Sequence, residues 1–311
     1  MARIEKRLRD ALCGISGILV TPFDREDRLA PARLKPIVDR AIGAGVHALV
    51  ANGNTGEFYG LTVAEAEAMV HAIGEQMDGR SVLIGGVGRS VHDACALARA
   101  SRAAGAAALM VHQPPDPFVS PRGVVSYVER IAEAGAGLPL MLYLRNDAIG
   151  LDAIEKLCRV PGVAGVKWAC PTPMRLAEAI RRCEPDIVWV DGLAEPWAPP
   201  FFAVGARGFT SGLINVWPEH SVAIHGALEA GDYARARTLV DVMAGFEELR
   251  AEEQNGTNVT VVKAALQLLG EDCGPTRPPS AWPLTEPQLA KMNKQLEAWG
   301  ISSGASLREL A

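Results

Sequence analysis

The sequence predicts an α/β fold, a (β/α)8 TIM barrel with a C-terminal helical extension. Three observations lead there. Eight short apolar runs recur every 20 to 35 residues, Ala/Arg/Glu-rich stretches of helical periodicity lie between them, and glycine-containing turns separate helix from the next run. Each run is continuous rather than alternating, as a strand covered on both faces of a parallel sheet requires. An open doubly wound sheet is the alternative, though it normally uses fewer strands.

The runs, in order, are ISGILVTPF from Ile15, VHALVANG from Val46, SVLIGGVG from Ser81, AALMVHQ from Ala107, LPLMLYL from Leu138, VAGVKWA from Val163, DIVWVDG from Asp186 and ARGFTSGL from Ala206. Helical patterns such as PARLKPIVDRAIGAG and TVAEAEAMVHAIGEQM separate them. The barrel is expected over 1–230. Residues 231–311 read as helices packed on it, because no flexible linker divides the two.

Composition narrows the functional classes. The chain has 311 residues, 49% hydrophobic, with a formal net charge of −5. That excludes intrinsic disorder and disfavours nucleic acid as a partner. No apolar run is long enough to span a bilayer, and the charged N-terminus lacks the apolar core of a secretory signal, so a cytoplasmic protein is expected. The six cysteines are scattered singly and the histidines show no H-x-x-x-H spacing. Neither a metal site nor a redox pair is expected.

In such barrels the working residues sit at the carboxyl ends of the strands. Lys167 stands out there. It lies inside VAGVKWA without an acidic neighbour, where desolvation should depress its pKa and leave an amine able to attack a carbonyl. The plainer reading is an interior lysine paired with Asp191 or Glu57. Tyr143, on the preceding strand, can hand protons to whatever Lys167 binds, or simply fill the barrel. Asn54, Thr55, Gly56 and Glu57 follow strand two, where backbone N–H groups can cradle a carboxylate. Gly85-Gly86-Val87-Gly88 does not complete a dinucleotide fingerprint and reads as a turn.

Together these residues resemble the Schiff-base lyase family that contains dihydrodipicolinate synthase, N-acetylneuraminate lyase and the 2-keto-3-deoxy sugar acid dehydratases. The motifs are Gly53-Asn54-Thr55-Gly56-Glu57, Tyr143, Gly165-Val166-Lys167 and Gly208-Phe209-Thr210-Ser211. The resemblance implies a small 2-oxo acid substrate that condenses with Lys167. It implies Thr55 with Asn54, Gly56 and Ser211 around the substrate, Tyr143 as proton shuttle, no cofactor, and a homodimer or homotetramer.

Departures from the synthases point elsewhere. Ala148 stands where they carry an arginine, the loop HQPPDPFVSP lacks their tyrosine, and Asn54 replaces a threonine. Tyr143-Leu144-Arg145-Asn146 is similar instead to the 5-dehydro-4-deoxyglucarate dehydratases, which implies Arg145 as a partner for a distal carboxylate or polyhydroxy tail, unless it is a plain salt-bridge residue. Dehydration of a keto-deoxy sugar acid is thus expected. Carbon–carbon aldolase or synthase chemistry on pyruvate, and a barrel that binds a sugar acid without turnover, are the alternatives. Trp168, where such dehydratases have Asp, is expected to alter the pocket wall.

Overall fold

Strand β1 (Ile15–Ile18) lies between β2 (Ala48–Ala51) and β8 (Gly208–Ser211), and that pairing closes a barrel. The computed structural model describes residues 4–301. Between β2 and β8 run β3 (Val82–Val87), β4 (Ala108–His112), β5 (Leu140–Leu144), β6 (Val163–Trp168) and β7 (Val188–Asp191), every neighbour parallel. The Ser16↔Thr210 register across the closure excludes an open sheet. Each strand is shorter than its apolar run, trimmed at one end or both.

Helix α1 (Lys6–Leu12) precedes the barrel. The helices α2 (Lys35–Gly43), α3 (Val63–Met77), α4 (Val91–Ala103), α5 (Pro121–Gly135), α6 (Leu151–Cys158), α7 (Pro173–Arg182), α8 (Ala198–Val204) and α9 (Pro218–Glu229) follow the eight strands in turn. Thr62 caps α3 through a reciprocal bond with Glu65, the N-terminal signature its spacing encodes. Two apolar layers result. One packs the outer strand faces against the helices, with Trp168, Phe201 and Phe209 fully buried. The other fills the barrel with Ile18, Val50, Ile84, Met110, Met141 and Val190, and α1 seals its floor with Leu8 and Leu12.

Gly85-Gly86-Val87 is not the turn the sequence suggests; it lies within β3. A Cβ on Gly86 would sit 2.2 Å from the Asn52 carbonyl oxygen, so the glycine serves close strand packing.

Beyond the barrel come α10 (Tyr233–Asn255), α11 (Asn258–Leu268) and α12 (Glu286–Trp299); α10 packs on α9, α11 and α12. The remainder of the expected C-terminal extension, 302–311, lies outside the described residues, as do 1–3. No helix among the described residues is long and apolar enough to cross a membrane.

Lys263 on α11, which reads as an ordinary helix lysine in sequence, is fully buried. Its Nζ pairs with Glu57 Oε1 at 2.6 Å and donates to the Pro275 carbonyl at 2.8 Å. Glu57 Oε2 accepts the Arg277 N–H at 2.8 Å. The loop after β2 is thereby tied to the C-terminal helices. Lys263→Ala leaves the Glu57 carboxylate buried without its counter-charge, and is expected to lower the unfolding free energy by about 3–5 kcal/mol. Replacing both partners by Leu and Met should restore much of that loss. Urea unfolding checks both, and an unchanged midpoint in Lys263→Ala would contradict the assignment.

Candidate active site

Side chains alternate along a strand, so β6 sends Gly165 and Lys167 inward and Val166 and Trp168 outward. Lys167 is 3% exposed. On β5 the same alternation turns Met141 and Tyr143 inward, and the register sets Tyr143 directly beside Lys167. The Lys167 Nζ stands 3.9 Å from the centroid of the Tyr143 ring.

Among the described residues neither an ion pair nor a hydrogen bond holds that ammonium. Glu57 is taken by Lys263, and no contact pairs Asp191 with Lys167. Burial pushes Lys167 down to about 7, opposed by attraction to Asp191 and helped by the positive charge of Arg145. Burial also holds Asp191 well above the usual carboxylate range, which weakens the one charge favouring the ammonium. Tyr143 is raised to about 12, again chiefly by burial.

The Asn54 Nδ2 donates to the Tyr143 hydroxyl oxygen at 3.1 Å. Asn54 opens the turn after β2, which a single-residue clearance keeps tight: a Cβ on Gly53 would lie 2.4 Å from the Ile18 Cγ2. Within the turn the N–H groups of Gly56, Glu57 and Phe58 bond back to Gly53 and Asn54. The N–H and hydroxyl of Thr55 bond no group among the described residues. Thr55 is buried beside the cavity with both donors available, a fit for a carboxylate.

These groups line a cavity of about 850 Å³ together with Arg145, Ala169 and residues of α10 and α11. Such a volume is typical of small-molecule sites. Arg145 is exposed at its edge and carries no ion pair among the described residues, against the salt-bridge reading.

Two expectations, those for Gly56 and Trp168, are corrected by the geometry. Gly56 does not line the cavity; its N–H and carbonyl are spent on Gly53 and on the Thr21 hydroxyl. Ser211 borders the cavity, yet its hydroxyl donates to the buried Glu195 Oε1 at 2.5 Å. Trp168 is not part of the pocket wall at all. It points into the helix layer, its Nε1 bonded to the Thr172 hydroxyl at 3.3 Å, and Ala169 takes the wall position.

His112, at the end of β4, is stacked on Phe58 with centroids 4.3 Å apart and donates from Nε2 to the Asn52 carbonyl. Burial lowers it to about 3, so it stays neutral and is no acid–base group near neutral pH. The sequence reading missed the Glu247, Arg250 and Asn258 wall. Nothing in a solvated-looking helix pattern marks those side chains as facing a cavity.

The Lys167 shift has a stability consequence. Between pH 7 and about 10.4 the unfolded chain holds a proton on this lysine that the folded chain does not, so stability rises with pH across that window. Lys167→Met is therefore expected to gain most over the wild type below pH 7, the gain shrinking toward pH 10. Paired urea titrations at pH 6 and pH 10 check this, and a gain independent of pH would contradict the shift.

Residues 11–299 match the profile of the dihydrodipicolinate synthetase family. A probable 5-dehydro-4-deoxyglucarate dehydratase of Rhizobium rhizogenes is 30% identical over 91% of this chain and 94% of its own. One from Streptomyces griseus is 31% identical over 98% and 96%. Among solved structures, the dihydrodipicolinate synthase of Bacillus clausii superposes with a TM-score of 0.90 at 34% identity, covering 94% of this chain and 99% of that one. With the closed barrel and the lysine–tyrosine pair in place, the match over nearly the whole length makes this chain a member of the dihydrodipicolinate synthetase family, and a lyase.

Proposed function

We propose that the chain forms a Schiff base between Lys167 and a 2-oxo acid, and that it dehydrates a keto-deoxy sugar acid. The observation that carries the reading is the unpaired, buried Lys167 Nζ lying 3.9 Å from the Tyr143 ring, with the donors of Thr55 bordering the same cavity.

The uncharged amine attacks the C2 carbonyl while Thr55 holds the adjoining carboxylate. Tyr143 gives the proton that lets the carbinolamine lose water, and the protonated imine results. The imine withdraws electrons from C3; loss of a C3 proton gives the enamine, and the electron pair returns to expel the C4 hydroxyl, which leaves as water on taking a proton. Water then hydrolyses the imine and frees Lys167. Asn54, donating to the phenol oxygen, leaves the Tyr143 proton pointing away from the turn and stabilises the phenolate when that proton is given up. Arg145, unpaired and bordering the cavity, suits a distal carboxylate. The relatives named as dehydratases support the elimination outcome.

A condensing or aldol reaction on the same imine is the second reading, favoured by the 34% identity to a solved synthase. The products separate the two: dehydration, followed by tautomerisation of the unsaturated acid and, where the far end is a carboxylate, loss of CO2, yields a semialdehyde-type oxo acid, whereas aldol cleavage releases pyruvate.

Borohydride in the presence of a 2-oxo acid is expected to leave a covalent adduct on Lys167, found by peptide mass spectrometry and lost in Lys167→Ala. A folded wild type that traps none of a panel of 2-oxo acids rejects the proposal. The trapping rate should climb as pH passes through about 7 and level off above it. Tyr143→Phe should still form the adduct while kcat falls by about 10²–10⁴-fold; undiminished turnover would remove Tyr143 from the mechanism.

A further inference from the structure

The end of α10 departs from helical geometry before the Asn255-Gly256 pair that marks a turn there. Glu253, Gln254 and Asn255 have φ of +52°, +59° and +68°, three successive left-handed residues without a glycine among them. Such backbone persists only where its surroundings enforce it, and it concentrates at ligand-binding segments.

The enforcement is visible here. The Thr257 hydroxyl donates to the Leu249 and Glu252 carbonyls at 2.6 and 3.0 Å. From α12, Gln288 and Lys291 hold the Glu252 carboxylate at 2.7 and 2.9 Å, and the Ala281 N–H bonds the Gly256 carbonyl.

The segment so held presents Gln254 and Asn255 to the cavity that contains Lys167, beside Asn258 at the start of α11. Neither Gln254 nor Asn255 makes a side-chain hydrogen bond among the described residues. Asn258 is oriented by Arg250, whose Nη2 donates to Asn258 Oδ1 at 3.0 Å and whose Nε donates to its carbonyl at 3.1 Å. Since Arg250 has only donors, the amide oxygen faces it and the Asn258 NH2 remains free. Glu247, 2.5 Å from Arg250, cancels that charge. This wall therefore offers neutral amides able both to donate and to accept. Hydroxyl groups suit it; a carboxylate does not, and Arg145 is the unpaired cation available for one.

We infer that Gln254, Asn255 and Asn258 form a subsite for the hydroxyl-bearing far portion of a polyhydroxylated 2-oxo acid, a subsite that rests on the imine reading above. Borohydride trapping supplies the readout, as the ratio of half-saturating concentrations for 5-dehydro-4-deoxyglucarate and for pyruvate on the same protein. Asn258→Asp keeps the oxygen that Arg250 requires and removes the donor. Gln254→Ala alters an exposed side chain, so it stays informative if the first variant melts early by circular dichroism. In each the ratio is expected to rise about tenfold, the scale of one lost hydrogen bond. A ratio equal to that of the wild type in both variants overturns the subsite and leaves the imine reading standing. Failure of the wild type to trap either acid overturns the imine reading and the subsite together.

Discussion

Removing an amine from water without giving it a counter-charge is costly, and the molecule does this at one place that matters. Lys167 sits among strand backbones in a closed barrel, 3% exposed, with an aromatic face as its nearest described contact. The proton is what the protein gives up. Lys263 shows the opposite solution: equally buried, it keeps a carboxylate at 2.6 Å and serves as a tie between the loop after β2 and α11. Two lysines differ in role because one has a partner and the other has none.

Everything at the site follows from holding Lys167 on the inner face. Strand periodicity of two permits no intermediate position: a slip of one residue would bring Trp168 inward and drive Lys167 into the apolar helix layer. The register with β5, Tyr143↔Lys167, fixes the phenol by the same rule. Gly192, just after β7, leaves room for β6: a Cβ there would lie 2.7 Å from the Ala169 Cβ and 3.0 Å from the Lys167 Cγ.

The barrel was readable because each strand lies in a continuous apolar run, and Tyr143, Lys167 and the Thr55 turn stand at or just after the carboxyl ends of such strands. Direction was less readable than position. Trp168 reads in sequence as a wall residue, although the inward orientation of its neighbour Lys167 already turns it out. Burial of polar groups on helices was not readable at all, because Lys263, Glu247 and Arg250 are spaced like any solvated charges. The Asn255-Gly256 pair marks a turn at the end of α10, but nothing marks Glu253 and Gln254 as left-handed, where the conformation is held by Thr257 and α12.

At the other end of the barrel, α1 plugs the strands with Leu8 and Leu12, 4% and 1% exposed. The interior is consequently a blind well rather than a channel. In the proposed reaction the incoming acid, the water shed on imine formation and the departing product share one mouth. A bulky side chain that narrowed this opening would therefore hinder entry and release alike.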